Sequence, residues 1–177
     1  LLDLTIPIPP LQDQKQIVDE LESYRRVMEG ARSVIENYKP SIQIKDSWQI
    51  KKLSDLCVIN AETVDPMKIY GENEFTYVDI SSVESGTGKI NLSNKIKGTI
   101  APSRARRAFS IGDILMSTVR PNLKAFGYVD FDSQNCVAST GFAVLSPTNV
   151  NGKFLFYMLF DNYVENQLLN DMGKGMY

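Results

Sequence analysis

The chain has 177 residues, 43% of them hydrophobic, and a formal net charge of −2. That length allows one good-sized domain plus an appendage, the composition carries no signature of disorder, and the charge excludes a uniformly basic nucleic-acid binder. There is no histidine, which removes Ser–His and Cys–His catalysis and the commonest zinc ligand.

Residues 1–10 alternate apolar and polar side chains in Leu4-Thr5-Ile6-Pro7-Ile8. They read as an extended lead-in, kept at the edge of a sheet or outside one by the prolines. The sequence opens on Leu1 rather than methionine, so it is expected to be cut, processed or trimmed.

Residues 11–40 form the helical region. From Leu11 to Tyr38, apolar residues Ile17, Leu21, Tyr24, Met28, Ala31, Ile35 and Tyr38 recur at spacings of four and three, the seam of a coiled coil. Pro9 and Pro10 sit where a missing N–H does no harm, and Pro40 ends the helix. Glu22 is expected to face Arg25 and Arg26, and Glu29 to face Arg32. Two readings of the stripe stay open: a core helix of one domain, or a seam awaiting a helix from elsewhere. No second heptad stretch occurs in the chain, which favours the seam.

Residues 41–47 are a polar linker, and a new unit, 48–177, starts at Trp48. Leu53 to Ile59 is either a first strand or a short helix and then a strand. Ala61 to Asn73 reads as loop, and Phe75 to Ile80 as a strand. Gly86-Thr87-Gly88 is a turn, with Lys89 to Leu92 a short return strand. Ser93 to Phe109 reads as a basic loop. Ile111 to Thr118 turns into a buried strand, Val119 to Leu123 is a loop, and Phe126 to Phe131 and Cys136 to Ser146 are strands. Gly141 is expected to mark a bulge in the last. Lys153 to Asp171 is a helix with an expected break near Asp161. The sum is an α+β body with a mixed, mainly antiparallel sheet and a C-terminal helix.

Charge is polarised along this unit. From Lys89 to Lys124 there are eight basic residues and one acid, Asp113, or 8 − 1 = +7; from Asp55 to Glu84 there are seven acids and one lysine, Lys68. Such a chain can turn one positive face to phosphate. Arginine suits guanine edges and phosphate, and asparagine suits adenine. If these charges face duplex DNA rather than forming a solvated surface, the candidate contacts are Arg104, Arg106 and Arg107 in one loop and Arg120, Asn122 and Lys124 in another, with Ser103, Ser117 and Thr118 as phosphate partners. Lys95 and Lys97 are assigned to backbone phosphate. No residue set fits a catalytic, cofactor or metal site, and Asp113 reads as a turn cap. Cys57 and Cys136 lack metal spacing and suit a reducing compartment. No apolar run approaches a membrane span, and no signal peptide is visible.

Several short motifs, in order, resemble one family. Ile6-Pro7-Ile8-Pro9-Pro10-Leu11-Gln12-Asp13-Gln14-Lys15-Gln16-Ile17-Val18 is similar to the opening of the conserved helical region of type I restriction–modification specificity subunits. Trp48 with Lys52-Leu53-Ser54-Asp55-Leu56 resembles the start of that family's target recognition domain. Tyr77-Val78-Asp79-Ile80, and Gly112-Asp113-Ile114-Leu115-Met116-Ser117 with Arg120, resemble its strand motifs; Met172-Gly173-Lys174-Gly175 resembles its exit. A full-length subunit of that family has two helical regions, packed as an antiparallel pair, and two recognition domains that each read half of a split DNA target. Methyltransferase subunits assemble around the helices, and restriction subunits join them. The resemblance implies that this chain is half of such a subunit or a fragment of one, non-catalytic, cytoplasmic in a prokaryote, and paired through its seam with a second copy or half-subunit. The alternatives from the residues alone are a coiled-coil scaffold whose globular end binds protein, and a self-contained enzyme. The missing histidine and the absence of a methyl-donor motif speak against the enzyme.

Overall fold

The computed structural model describes residues 5–37 and 42–172. Tyr38, the linker's first residue, the first four residues of the lead-in and most of the Met172 to Tyr177 exit lie outside them. Two compact units divide the chain, Leu1–Lys39 and Pro40–Tyr177.

The first unit is α1 (Leu11–Asn37), about 40 Å long at 1.5 Å per residue. Its first backbone bond runs from the Gln14 amide to the Pro10 carbonyl at 3.0 Å, so the two prolines lie where the helix needs no donors. No residue of α1 is buried. Arg25 pairs with both Glu22 (3.8 Å) and Glu29 (2.9 Å), and Arg32 pairs with Glu36 (3.3 Å) rather than Glu29. All of these groups are exposed, so each pair is worth about 0.3–0.5 kcal/mol.

The second unit begins with α2 (Leu53–Leu56) running into β1 (Cys57–Ile59), the helix-then-strand alternative. The expected loop from Ala61 to Asn73 contains α3 (Pro66–Tyr70), started by Pro66 at its first position and closed by Gly71 at φ +53°; a one-turn helix has too few residues to show a period. Then come β2 (Glu74–Val78), β3 (Lys95–Lys97), β4 (Ala105–Arg107), β5 (Ile114–Ser117), β6 (Phe126–Tyr128), β7 (Cys136–Ser139) and β8 (Phe142–Pro147). The expected Lys89 to Leu92 strand is reduced to a single bridge between Val83 and Ile90. The basic stretch is not one loop, because it holds β3 and β4.

The strands form two four-stranded sheets, β1-β8-β5-β6 and β3-β2-β7-β4. All pairings are antiparallel except β2 with β7. Cys136 to Ser146 is therefore not one bulged strand. It is β7 in one sheet and β8 in the other, and the chain changes sheet at Thr140-Gly141. A Cβ on Gly141 would lie 2.8 Å from Cδ1 of Ile80, so a larger residue at the corner would have to displace the end of that side chain.

Alternation along the strands builds three apolar layers. Val78, Leu115, Ala138, Phe142 and Val144 face one another between the sheets. Ile114, Phe126 and Leu145 point to the opposite face of the first sheet, where Leu155, Phe156, Leu159 and Phe160 of α4 (Gly152–Phe160) cover them. Phe75, Tyr77 and Val137 face away on the second sheet, under Tyr70 of α3 and Val64. The predicted C-terminal helix is two helices, α4 and α5 (Asn162–Met172), broken at Asp161 as its sequence suggests. The buried Asp161 carboxylate accepts from the amides of Tyr163 (2.9 Å) and Ile42 (3.0 Å), an arrangement that a continuous helix would not allow. Trp48 packs edge-on against Phe154, centroids 6.4 Å apart, which ties the start of the unit to α4.

Candidate nucleic-acid interface

The structure separates the basic residues that the sequence places together. Lys95 and Lys97 lie on edge strand β3, with Lys97 opposite Glu74 and Lys95 opposite Thr76. Arg104, Arg106 and Arg107 lie at or just before β4, on the other edge of the same sheet. Two strands intervene, so the groups are about 14 Å apart across the sheet at ~4.8 Å per strand. They also differ in height: Thr76 is level with Cys136, whereas Ala105 is level with Ser139.

The acidic half of the sequence folds back onto part of the basic half. Lys97 Nζ is 3.1 Å from Glu72, and Arg106 Nη1 is 3.1 Å from Asp65. Arg106 Nε also donates to the Ser103 carbonyl at 3.2 Å. Arg107 is half-buried and its Nε is enclosed without a hydrogen-bond partner among the described residues. Ser103 is exposed on the turn before β4. The polarised sequence thus yields a narrower positive surface than its +7 count suggests.

Another set does converge. The Thr140-Gly141 corner is its centre. The Arg104 carbonyl accepts from the Thr140 amide at 2.8 Å. The Gly141 carbonyl accepts from both the amide (2.9 Å) and the hydroxyl (3.0 Å) of Thr118. Arg120 follows two residues later. Arg104, Thr118, Arg120, Asn122 and Thr140 are all exposed, and among the described residues no ion pair engages Arg104 or Arg120. Thr140 was not a sequence candidate. Its signal was the small polar run Ser139-Thr140-Gly141 between two apolar strands, readable as a turn.

The loop between β5 and β6 has a defined shape. Ser117 donates its amide to the Ala125 carbonyl (3.2 Å), closing the base. Pro121–Leu123 makes a 3-10 turn, flanked by Arg120 and Lys124 in the left-handed region at φ 51° each. Non-glycine residues rarely adopt that region, and it persists only where surrounding contacts hold it.

Two candidates are corrected. Ser117 is wholly buried and its hydroxyl donates to the Val119 carbonyl at 2.9 Å, so it cannot meet a phosphate; it faces inward as the last residue of a strand covered on both sides. Lys124 is turned away from solvent. Its ammonium lies 2.7 Å from Glu165 Oε2 and 3.1 Å from the Phe160 carbonyl. Asp113 caps its turn as expected, accepting from the Ser110 amide at 2.8 Å.

A cavity of about 590 Å³ lies at the opposite end of β7, lined by Glu62, Tyr70, Asp132 and Cys136 among others. Burial pushes the Cys57, Tyr70 and Cys136 pKa values up, away from nucleophilic use. Among the described residues no group of three acidic or thiol side chains could hold a metal, and no helix is long and apolar enough to cross a membrane.

Comparison with known proteins gives a consistent picture. Residues 45–176 match the family described as the type I restriction modification DNA specificity domain. The type I restriction enzyme HindI specificity subunit of Haemophilus influenzae is 34% identical over 93 residues, 51% of this chain and 17% of that protein. The crystal structure of the HsdS subunit from Thermoanaerobacter tengcongensis superposes with a TM-score of 0.62 at 36% identity, covering 72% of this chain and 33% of that one. A chain from a structural study of complex assembly and conformational transition of the type I R-M system gives 0.66 at 34% identity, covering 77% and 35%. The chain spans about a third or less of the length of these relatives. With a family match over residues 45–176, most of the chain, and a shared fold at this level of identity, the chain belongs to the type I restriction–modification DNA specificity family.

Proposed function

We propose that this chain is a sequence-reading module of a type I restriction–modification complex. Its globular unit recognises half of a bipartite duplex target, and its helix docks a second helix and the modification and restriction subunits. The observation that carries the reading is the family match over residues 45–176. Two physical features support it. Arg104 and Thr118 are tied to the Thr140-Gly141 corner by hydrogen bonds, and Arg120 and Asn122 follow Thr118 in an exposed loop; arginine and asparagine can offer paired hydrogen bonds to guanine and adenine edges. From Ile17 to Ile35 the heptad seam of α1 has no buried residue, as a helix awaiting a partner requires. The chain itself selects the site and carries out no chemistry; methyl transfer and cleavage belong to other subunits.

In the reading-head arrangement, Arg104, Arg120 and Asn122 approach base edges, with Thr118 and Thr140 beside them for phosphate or sugar. Lys95, Lys97, Ser103 and Arg106 serve backbone phosphate rather than bases, and Arg107 serves the sheet edge. Co-expression with a matching modification subunit, followed by sequencing of methylated adenines, tests the reading. The expected result is a split target with identical halves, changed when residues 48–177 are exchanged for those of a relative. Methylation whose motif ignores that exchange overturns it.

A further inference from the structure

Lys124 falls in the basic run, yet it is the least exposed partner of any ion pair among the described residues, at 18%, with Glu165 at 29%. The other pairs in the globular unit are more open, at 51% and 74% for Lys97–Glu72 and 38% and 37% for Arg106–Asp65. A partly buried pair is screened less by salt than a surface pair.

The position of the pair has a helical cause. The Phe160 carbonyl is the last of α4, where carbonyls lack intrahelical partners and the helix end is negative. Glu165 stands in the first turn of α5, where a carboxylate is favoured. The break at Asp161 therefore sets a carbonyl and a carboxylate side by side, and the Lys124 ammonium reaches both, at 3.1 and 2.7 Å. The anchor is rigid: Phe160 packs edge-on against Phe126 and Phe156, with centroids 5.6 and 5.1 Å away.

The loop needs such an anchor. Val119 and Leu123 remain about half exposed, so apolar burial does not fix its pose. Its two left-handed residues, Arg120 and Lys124, must be held by contacts elsewhere. On one side Thr118 binds the Gly141 carbonyl; on the other Lys124 is held twice, its carbonyl accepting from the Gly86 amide at 3.3 Å and its ammonium bound by Glu165 and the Phe160 carbonyl.

We infer that the Lys124–Glu165 pair is a latch that sets the pose of the Arg120–Asn122 loop on the duplex, making Lys124 and Glu165 positioning residues for base discrimination rather than DNA contacts. This rests on the reading of the chain as a DNA reader. The latch couples the register of a recognition loop to the C-terminal helices.

The test uses the full chain assembled with its modification subunit. Lys124→Met, Glu165→Gln and the double variant are compared with the parent by methylation mapping, DNA affinity against salt, and thermal midpoint. Glu165→Gln keeps a hydrogen-bond acceptor and all buried volume, so it remains informative if Lys124→Met fails to fold. The expected result is loss of discrimination, by roughly tenfold, at one or two base positions of the half-site, the size of a single paired side-chain contact. The salt slope of binding is unchanged, and the double variant is no worse than Lys124→Met, as for two residues acting as one unit. A uniform fall in affinity across sequences with the salt slope reduced by about one would make Lys124 a phosphate contact and overturn the latch. So would an unaltered motif in Glu165→Gln and Lys124→Met. A parent complex without any sequence preference would instead overturn the reading of the chain itself.

Discussion

Pairing through α1 can be tested with one substitution. Leu21 lies in the middle of the seam and is 61% exposed. Replacing it with alanine removes three carbons, worth about 2.4 kcal/mol if wholly buried, at ~0.8 kcal/mol each. Only the exposed share, 61%, is left for a partner helix to cover, which gives about 1.5 kcal/mol per copy at the same rate. A symmetric pair contains the site twice, so Leu21→Ala should weaken it by about 3 kcal/mol, or roughly 150-fold in Kd. Alanine is at least as good a helix former as leucine, so α1 itself survives the change. Asp19, which points away from the seam, supplies the control: Asp19→Ala should leave pairing unchanged. Sedimentation equilibrium from nanomolar to micromolar concentration measures both. A parent chain that stays monomeric at micromolar concentration, or equal effects of Leu21→Ala and Asp19→Ala, would refute the assignment of Ile17, Leu21, Tyr24, Met28, Ala31 and Ile35 to a pairing seam.

Arg104→Ala and Arg120→Ala should each cost about 1–3 kcal/mol of target binding and relax one base position, read from methylated sites of the assembled complex; an unchanged motif removes that residue from the reading set. Phe142→Ala, at a fully buried position between the two sheets, should destabilise the globular unit by about 3–5 kcal/mol, measured by denaturant unfolding, and a loss under 1 kcal/mol would contradict the double-sheet core. Burial raises the thiol pKa values of Cys57 and Cys136 above the ordinary 9.0. Their protonated forms are favoured in the folded state, so this contribution is intact below the ordinary value and is lost as pH rises through the raised one. Native thiols should accordingly react slowly with a disulfide reagent near neutral pH and quickly once unfolded; rapid native labelling of Cys57 would argue against its buried position in β1.

Much of the fold could be read locally. The heptads of α1, the prolines at its start, the break at Asp161 and the alternation in β2 and β5 each arise within a few residues of sequence, where helix and strand periods act directly. The one-turn α3 left no such trace, since the five residues Pro66–Tyr70 do not span the two turns over which a period could repeat. Cys136 to Ser146 looked like one strand because both halves alternate; the corner at Thr140-Gly141 follows from pairing with β2 and β4 on one side and with β1 and β5 on the other.

The sequence by itself determined a coiled-coil helix, an α+β body and a basic stretch with acids upstream, because propensity, periodicity and charge are properties of neighbouring residues. Tertiary structure alone decided what the charges do. Strand order sets Lys95 and Arg104 on opposite edges of one sheet. Long-range packing hides Ser117 and hands Lys124 to Glu165, 41 residues away in sequence. A side chain's partner across such a distance depends on register and helix placement, which no local pattern encodes.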